Sequence, residues 1–326
     1  MLKPYGRLLC ALLALALLAG CSPTPAALPA ATPVALPTAK PTPAPTPSPT
    51  PAPPAPFSLV WISDTQNMSA DGFAPVRAMA GWIAAQKEAL GIRYVLHTGD
   101  IVGSGTKEGA WDRAAPAMEA IRRSAPLMTS AGNHDVGKRR QYETYLRRRF
   151  DTVTNPGQLF QNGRGSYALL DTDLGGFLLV GMGITVSEEG FDWLNSVFAS
   201  HPERTGILAV HDYLTSSGGR TSEGARLFER VVKANPNLRF VLCGHRRGVN
   251  RIDSPIDDDG DGQPDRTVYQ LMYNFQSDTK RMGYLRILTF SPDRSVQVTT
   301  YSPWLDDYDY YEDHQDEETF RIENAF

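Results

Sequence analysis

The sequence predicts an α/β fold over residues 57–326, a stretch of about 270 residues. The first observation behind this prediction is that short apolar runs bounded by turn residues alternate with segments of helical periodicity. The second is that Val268–Met272 and Tyr284–Phe290 are strand-like runs late in the chain. Repeated β-α units followed by antiparallel strands therefore make up one domain, whose length allows a large core.

Each predicted element corresponds to its own stretch of the chain. The five main strand-like runs are Leu59–Ile62, Tyr94–Leu96, Leu127–Met128, Ile207–Val210 and Phe240–Leu242. The predicted helices are Ala74–Leu90, Glu108–Arg123, Tyr142–Phe150, Gly190–Ala199 and Ser222–Ala234. Pro116 interrupts the second of these helices. Ser166–Leu170 and Phe177–Gly181 predict a β-hairpin.

The first 20 residues are typical of a targeting signal. Lys3 and Arg7 precede an apolar segment, Leu8–Ala19, which is too short to span a bilayer comfortably. The sequence ending at Cys21 resembles the lipobox of bacterial lipoproteins, which implies cleavage before Cys21, a lipid on Cys21 and a membrane-anchored protein. The alternative is an ordinary secretory signal or a short anchor, and either alternative predicts a protein that works outside the cytoplasm.

Residues 21–56 form a predicted disordered tether. More than half of the 25 prolines of the chain lie here, mixed with Thr and Ala, so the segment cannot bury enough apolar surface to fold. Cys10 belongs to the signal and Cys21 is the lipidation site, which leaves Cys243 without a disulfide partner. Cys243 follows a strand-like run, which favours a core residue over a nucleophile.

The charge distribution excludes one class of partner. The net charge is −4, and no extended basic stripe with interleaved aromatic residues is present, so nucleic-acid binding is not expected. Basic residues cluster at Lys138–Arg140 and Arg246–Arg251, beside the loops described next. These clusters would attract an anionic substrate.

Metal-capable side chains follow all five of the main strand-like runs. In chain order they are Asp64 and Gln66, Asp100, Asn133 with His134 and Asp135, His211, and His245. In open α/β sheets, ligands bind beyond the carboxyl ends of the strands. The sequence therefore predicts that these side chains meet at one site.

The order Asp…Gly-Asp…Gly-Asn-His-Asp…His…Gly-His, from Phe57 to about Phe290, resembles the calcineurin-like metallophosphoesterase family. The resemblance implies a four-layer αββα sandwich with two mixed β-sheets and a metal centre at the strand ends. It also implies hydrolysis of a phosphomonoester or phosphodiester, with a phosphorylated small molecule or lipid as substrate. The implied cofactors are one or two divalent ions, Mn, Fe or Zn. Nothing in the sequence sets the oligomeric state.

The resemblance also assigns metal ligands. One ion would be held by Asp100, Asn133, His211 and His245. The other would use Asp64, the shared Asp100 and two positions that hold histidine in the family.

Those two histidine positions hold Gln66 and Arg247 in this chain. Arg247 has no acceptor and stays protonated, so it cannot ligate a cation. Three outcomes follow. The second ion is weakly held by Asp64, Gln66 and Asp100; or one ion suffices and Arg247 binds the substrate phosphate; or the domain is a non-catalytic binding module.

Two further residues have catalytic roles by the resemblance. His134, with Asn133, contacts the substrate phosphate and protonates the leaving oxygen, and Asp135 holds the His134 ring in the useful tautomer. The alternative is that His134 and Asp135 only cap the turn.

An Asp-rich stretch predicts a second ion site. Asp257, Asp259 and Asp261 occupy positions 1, 3 and 5 of an EF-hand-like loop, with Asp265 nearby, and calcium is the expected ion. Position 12 is Val268 rather than Glu, and an acidic hairpin turn is the alternative. A calcium-stabilised adhesion domain is a third functional alternative that depends on this loop alone.

Overall fold

The structure is a computed structural model that describes residues 53–148, 159–276, 282–311 and 315–326. The predicted signal (1–20), Cys21, nearly all of the predicted tether, and Phe150 at the end of a predicted helix lie outside the described residues. None of the described helices has the length and hydrophobicity needed to cross a membrane.

Fourteen strands and seven α-helices are present in the described residues. The strands are β1 (Phe57–Ile62), β2 (Ile92–His97), β3 (Leu127–Thr129), β4 (Leu159–Phe160), β5 (Gly165–Thr172), β6 (Gly175–Met182), β7 (Thr205–Val210), β8 (Leu238–Cys243), β9 (Gly248–Ile256), β10 (Arg266–Asn274), β11 (Leu285–Phe290), β12 (Val296–Ser302), β13 (Asp307–Tyr308) and β14 (Phe320–Ile322). The helices are α1 (Ala74–Gln86), α2 (Ala110–Ser124), α3 (Asn133–Val136), α4 (Tyr142–Leu146), α5 (Glu188–Ala199), α6 (Ser222–Leu227) and α7 (Gln315–Glu318).

Both β-sheets are mixed. The first has the order β13-β12-β11-β1-β2-β3, with β14 paired to β12, and the second has the order β4-β5-β6-β7-β8-β10-β9. In the first sheet β1, β2 and β3 are parallel, while β11 is antiparallel to β1. In the second sheet β6, β7, β8 and β10 are parallel, while β9 is antiparallel to β10. The parallel strands put several carboxyl ends at one edge of each sheet.

The alternation of side chains along the strands creates three apolar layers. Val60 of β1 packs with the residues of α1 and α2 on the outer face of the first sheet. Its neighbour Leu59 faces the opposite way and joins Phe240 in the core between the two sheets. Val180 of β6 packs with Phe191 of α5 on the outer face of the second sheet. Helices, two sheets and helices therefore form the predicted four-layer αββα sandwich.

The five predicted helices correspond to α1, α2, α4, α5 and α6, with two corrections, and the short helices α3 and α7 were not predicted. Pro116 lies inside α2 and does not interrupt it. Its ring is on the exposed face of the helix, whereas Trp111 and Ile121 are buried on the face that packs against the first sheet. This packing holds the helix together across the missing backbone donor of proline. The predicted helix that starts at Ser222 divides into α6 and a π-helical turn, Phe228–Val232.

Candidate metal centre

Three of the site residues have unusual backbone conformations just past the ends of their strands. Asp64 follows β1, Asp100 follows β2 and His245 follows β8, and their φ angles are 52°, 56° and 67°. A residue other than glycine in this left-handed region costs roughly 1–3 kcal/mol, and such conformations cluster at functional sites. Backbone hydrogen bonds between the loops hold them: the Asp64 amide donates to the Gly99 carbonyl (3.1 Å), and the Gln66 amide donates to the Asp100 carbonyl (2.9 Å).

Four predicted ligands come together at this edge. Nε2 of His211 lies 3.3 Å from Oδ2 of Asp100 and 3.1 Å from Oδ1 of Asn133. The donor atoms of Asp100, His211 and His245 all lie within 4.8 Å of one another. Carboxylate, amide oxygen and imidazole are a donor set that suits Mn, Fe or Zn. The geometry therefore provides a candidate metal site.

Asp64 and Gln66 lie next to this cluster with acceptor atoms that have no donor. Their side chains are buried, yet Asp64 Oδ1 and Gln66 Oε1 lack hydrogen-bond partners among the described residues. The Gln66 amide is oriented because its Nε2 donates to Asp100 Oδ2 at 3.2 Å, which leaves the oxygen unused. A buried acceptor without a partner costs about 1–3 kcal/mol. A cation bound between Asp64, Gln66 and Asp100 would satisfy both oxygens, so the residues present fit a second ion.

Two glycines allow the loops to approach so closely. A Cβ atom on Gly132 would lie 2.2 Å from Oδ1 of Asp100. A Cβ atom on Gly244 would lie 2.0 Å from Oγ of Ser63 and 2.2 Å from Oδ2 of Asp64. Any other residue at these positions would displace a candidate ligand.

Residues that the sequence did not single out orient the ligands. Nδ1 of His211 donates to the Thr98 carbonyl at 2.8 Å, which directs Nε2 towards Asp100. The Ser63 hydroxyl donates to Asp64 Oδ2, and the Thr98 hydroxyl donates to Ser63 at 2.7 Å. Asn274 Nδ2 donates to the carbonyl of His245 at 3.1 Å. None of these contacts has a sequence motif of its own.

The charges of the cluster are strongly coupled. Burial raises the pKa of Asp64 to about 6, because the ionised carboxylate is desolvated and lies near Asp100. Burial by itself would lower the pKa of His211, but the Asp100 and Asp64 carboxylates raise it to about 10. Burial and the nearby His211 lower the pKa of His245 to about 4. A cation bound beside Asp64 would lower the pKa of this carboxyl group and so stabilise its ionised form.

His134 reaches the edge of the cluster and remains accessible. Its side chain is 46% exposed, and Nε2 lies 4.0 Å from Oδ2 of Asp100. Nδ1 donates to the carbonyl of Gly103 at 2.8 Å, since a carbonyl can only accept. This bond fixes the tautomer of a neutral His134 ring and turns Nε2 towards the centre.

The predicted role of Asp135 was wrong. Its Oδ1 accepts hydrogen bonds from the amides of Ile101 (2.8 Å) and Val102 (3.1 Å), and its Oδ2 accepts one from the amide of Gly132 (2.9 Å). The carboxylate is fully buried and serves the backbone, while the Gly103 carbonyl orients the His134 ring. Asp135 therefore positions the loop after Asp100 against the turn that carries Asn133 and His134.

Arg247 lies at the surface, two residues after His245 in the chain. Its side chain is exposed and forms no hydrogen bond or ion pair with any residue that the structure describes. The neighbouring Arg246 lies 3.9 Å from Asp212, the residue after His211. Arg247 is thus two residues beyond His245 with its guanidinium group unpaired.

The Asp-rich loop connects β9 to β10, which pair as an antiparallel hairpin. Oxygen atoms of Asp257, Asp259 and Asp265 lie within 4.8 Å of one another, and all three residues are exposed. Asp261 is not part of this group, and its carboxylate accepts a hydrogen bond from the Gln263 amide at 2.7 Å. The predicted set of calcium ligands is therefore reduced to three carboxylates at a hairpin end.

Comparison with known proteins finds a family model and a relative that match this chain. The family model described as calcineurin-like phosphoesterase matches residues 57–246. The uncharacterised protein YvnB of Bacillus subtilis (strain 168) is 37% identical over 264 residues, which are 78% of this chain and 20% of YvnB. The chain thus spans about a fifth of the length of this curated relative.

One solved structure shares the fold at low sequence identity, and a second aligns with a lower score. The purple acid phosphatase PPD1 from yellow lupin (Lupinus luteus) seeds aligns with a TM-score of 0.56 at 15% identity, over 85% of this chain and 55% of that chain. GAP50, described as the anchor in the inner membrane complex of Plasmodium, aligns with a TM-score of 0.49 at 12% identity, over 83% of this chain and 90% of its own.

Proposed function

The chain belongs to the calcineurin-like phosphoesterase family, and from that premise we propose that it hydrolyses a phosphomonoester or phosphodiester with one or two bound divalent ions. The observation that carries the proposal is the convergence of Asp100, Asn133, His211 and His245 at the strand ends. This donor set has its own orienting contacts, as a built metal site requires.

The ion sites would divide the ligands unequally. One ion would be held by Asp100, Asn133, His211 and His245, and the other by Asp64, Gln66 and the shared Asp100. The second set has three donors against four, and Gln66 offers only a neutral carbonyl oxygen, so its ion would be the more weakly held. When bound, such ions polarise phosphoryl oxygens and make water more acidic at neutral pH.

The protein side chains would position the substrate and move one proton. Asn133 and His134 would contact the phosphate. Because Nδ1 of His134 donates to the Gly103 carbonyl, the proton for the departing alcohol would come from Nε2 of the doubly protonated ring. The exposed guanidinium of Arg247 would bind phosphate oxygens in a bidentate manner.

We place this activity outside the cytoplasm. The lipobox-like sequence at Cys21 supports a lipid anchor, and residues 21–56 would act as an extended spacer between the membrane and the domain. The substrate would be a phosphorylated small molecule or a lipid. Incorporation of a labelled fatty acid by wild type, with no incorporation by Cys21→Ser, is the expected result; labelling of neither protein would refute the anchor.

The competing candidate is a surface module that binds metal or phosphate without turnover. Gln66 and Arg247, which stand where the resemblance places histidine, are the observation that favours it. The test is hydrolysis of an aryl phosphate with added Mn²⁺. Activity that disappears in Asp100→Asn is expected; a wild-type protein that binds Mn²⁺ but releases no phosphate would establish the binding module instead.

A calcium ion at the Asp257, Asp259 and Asp265 hairpin is a separate proposal. Three carboxylate oxygens within one coordination sphere support it. Such an ion would stabilise the end of the β9–β10 hairpin and take no part in hydrolysis.

A further inference from the structure

A cavity of about 530 Å³ opens beside the candidate metal centre. Asn133 and His134 line it, and so do Lys138 and Arg139. The volume lies within the range of small-molecule sites, roughly 300–1,000 Å³. The same cavity therefore contains two residues of the centre and two cations that the proposed hydrolysis does not use.

No acidic side chain among the described residues pairs with the cations of this cavity. Lys138 and Arg139 are exposed, and neither forms an ion pair or hydrogen bond with any residue in the described part of the chain. None of the residues that line the cavity is acidic. Other surface cations do have carboxylate partners: Arg122 and Arg123, for example, both bind Glu119. An uncompensated basic pocket concentrates anions from solution.

Backbone hydrogen bonds fix the turn that carries the two cations relative to His134. The turn that carries them follows α3 directly, and Gly137 begins it with a φ of 65°. The Gly137 amide donates to the Asn133 carbonyl at 2.8 Å, and the Gln141 amide donates to the Val136 carbonyl at 2.6 Å. The turn is thus tied at both ends to the helix that carries Asn133 and His134, so the backbone keeps Lys138 and Arg139 next to His134.

We propose that Lys138 and Arg139 form an anionic subsite for a second phosphate group, carried by the alcohol that leaves. This inference rests on the proposed function, in which His134 faces the leaving oxygen. The pocket that His134 lines then lies on the side of the departing alcohol. The preferred substrates are phosphoesters whose alcohol portion bears another phosphate.

The test separates binding from turnover by using phosphonates, whose C–P bonds are not hydrolysed. Butylphosphonate and butane-1,4-bisphosphonate are titrated calorimetrically into the Mn²⁺-loaded protein. Wild type binds the bisphosphonate about tenfold or more tightly, because two charge-assisted contacts are added. The preference falls as salt is added, since both cations are exposed to solvent.

The matched variants each remove two adjacent surface cations. Lys138→Ala/Arg139→Ala abolishes the preference for the bisphosphonate and leaves the affinity for butylphosphonate within about twofold. Arg122→Ala/Arg123→Ala, at the far end of α2, changes the net charge equally and keeps the preference. Equal affinity of wild type for both phosphonates, no binding of either, or a preference that survives the first double variant overturns the subsite.

Hydrolysis of butane-1,4-diol monophosphate is measured in parallel and tests the proposed function alone. No hydrolysis with a retained phosphonate preference refutes phosphoester hydrolysis and leaves the subsite standing. Hydrolysis of the monophosphate without any phosphonate preference refutes the subsite and leaves the proposed function standing.

Discussion

Substitution of Gln66 tests whether the second ion site exists. In the protein its Nε2 donates to Asp100 Oδ2 at 3.2 Å, and its Oε1 has no partner in the described part of the chain. Gln66→Met keeps the length of the side chain but removes both atoms. Loss of the hydrogen bond to a carboxylate destabilises the protein by roughly 1.5–3 kcal/mol. Removal of a buried acceptor that has no donor stabilises it by about 1–3 kcal/mol. We therefore expect the metal-free Gln66→Met protein to unfold within a few degrees of wild type.

Gln66→Glu keeps the shape and adds charge. The second carboxylate oxygen would take the place of Nε2, 3.2 Å from Oδ2 of Asp100. Two full charges at that distance repel by about 5 kcal/mol at an effective dielectric constant of 20, and delocalisation over two oxygens each reduces this to roughly 3–4 kcal/mol. For a domain of this size the metal-free melting temperature would fall by about 6–15 °C. With a cation bound, the same carboxylates would both act as ligands.

The assay is thermal unfolding with chelator and with increasing Mn²⁺. The increase in melting temperature on adding Mn²⁺ should be largest for Gln66→Glu, intermediate for wild type and smallest for Gln66→Met, since binding to the native state alone is what stabilises it. An identical Mn²⁺ response in all three proteins would show that Gln66 is no ligand and would remove the second ion from the account.

Three further changes test other parts of the site. Gly244→Ala puts a Cβ atom 2.2 Å from Asp64 Oδ2, so it should cost about 1–3 kcal/mol of stability and lower the bound metal; wild-type metal content in this variant contradicts the packing argument. His134→Ala should lower turnover by about 10²–10⁴-fold while the metal content measured by mass spectrometry stays constant, and a parallel loss of both would show a structural role. Calcium should raise the melting temperature of wild type but not of Asp259→Ala, and no shift in either protein would end the proposal of a calcium loop.

The sequence predicted the parts of the fold that depend on local apolar patterns. The strands β1, β2, β3, β7 and β8 are buried on both faces and therefore appear as continuous apolar runs. The strand β9 was missed because it lies at the edge of its sheet and eight of its nine residues are at least partly exposed, so they include no continuous apolar run. The strand β12, by contrast, had a usable signal, since buried Val296 and Val298 flank the half-buried Gln297 in the alternation typical of a strand.

The candidate site also has features that the sequence predicts and features that it does not. The residue types at the strand ends could be predicted, because polar side chains directly after apolar runs are visible in the sequence. The bond from His134 to the Gly103 carbonyl could not, because the direction of a loop carbonyl has no side-chain signature. The close approach of Gly132 to Asp100 could not be predicted either, since residues 101–131, which include α2, separate the two in the sequence. The sequence predicted that Asp135 orients the ring of its neighbour His134, whereas the hydrogen-bond partners of Asp135 are backbone amides.

Diffraction at the manganese absorption edge, on crystals grown with Mn²⁺, shows directly whether the strand-end side chains hold a cation. We expect an anomalous peak bounded by Asp100, Asn133, His211 and His245, and a weaker one beside Asp64 and Gln66. The absence of a peak among the first four side chains, with Mn²⁺ bound elsewhere or not at all, would contradict the claim that they hold a cation.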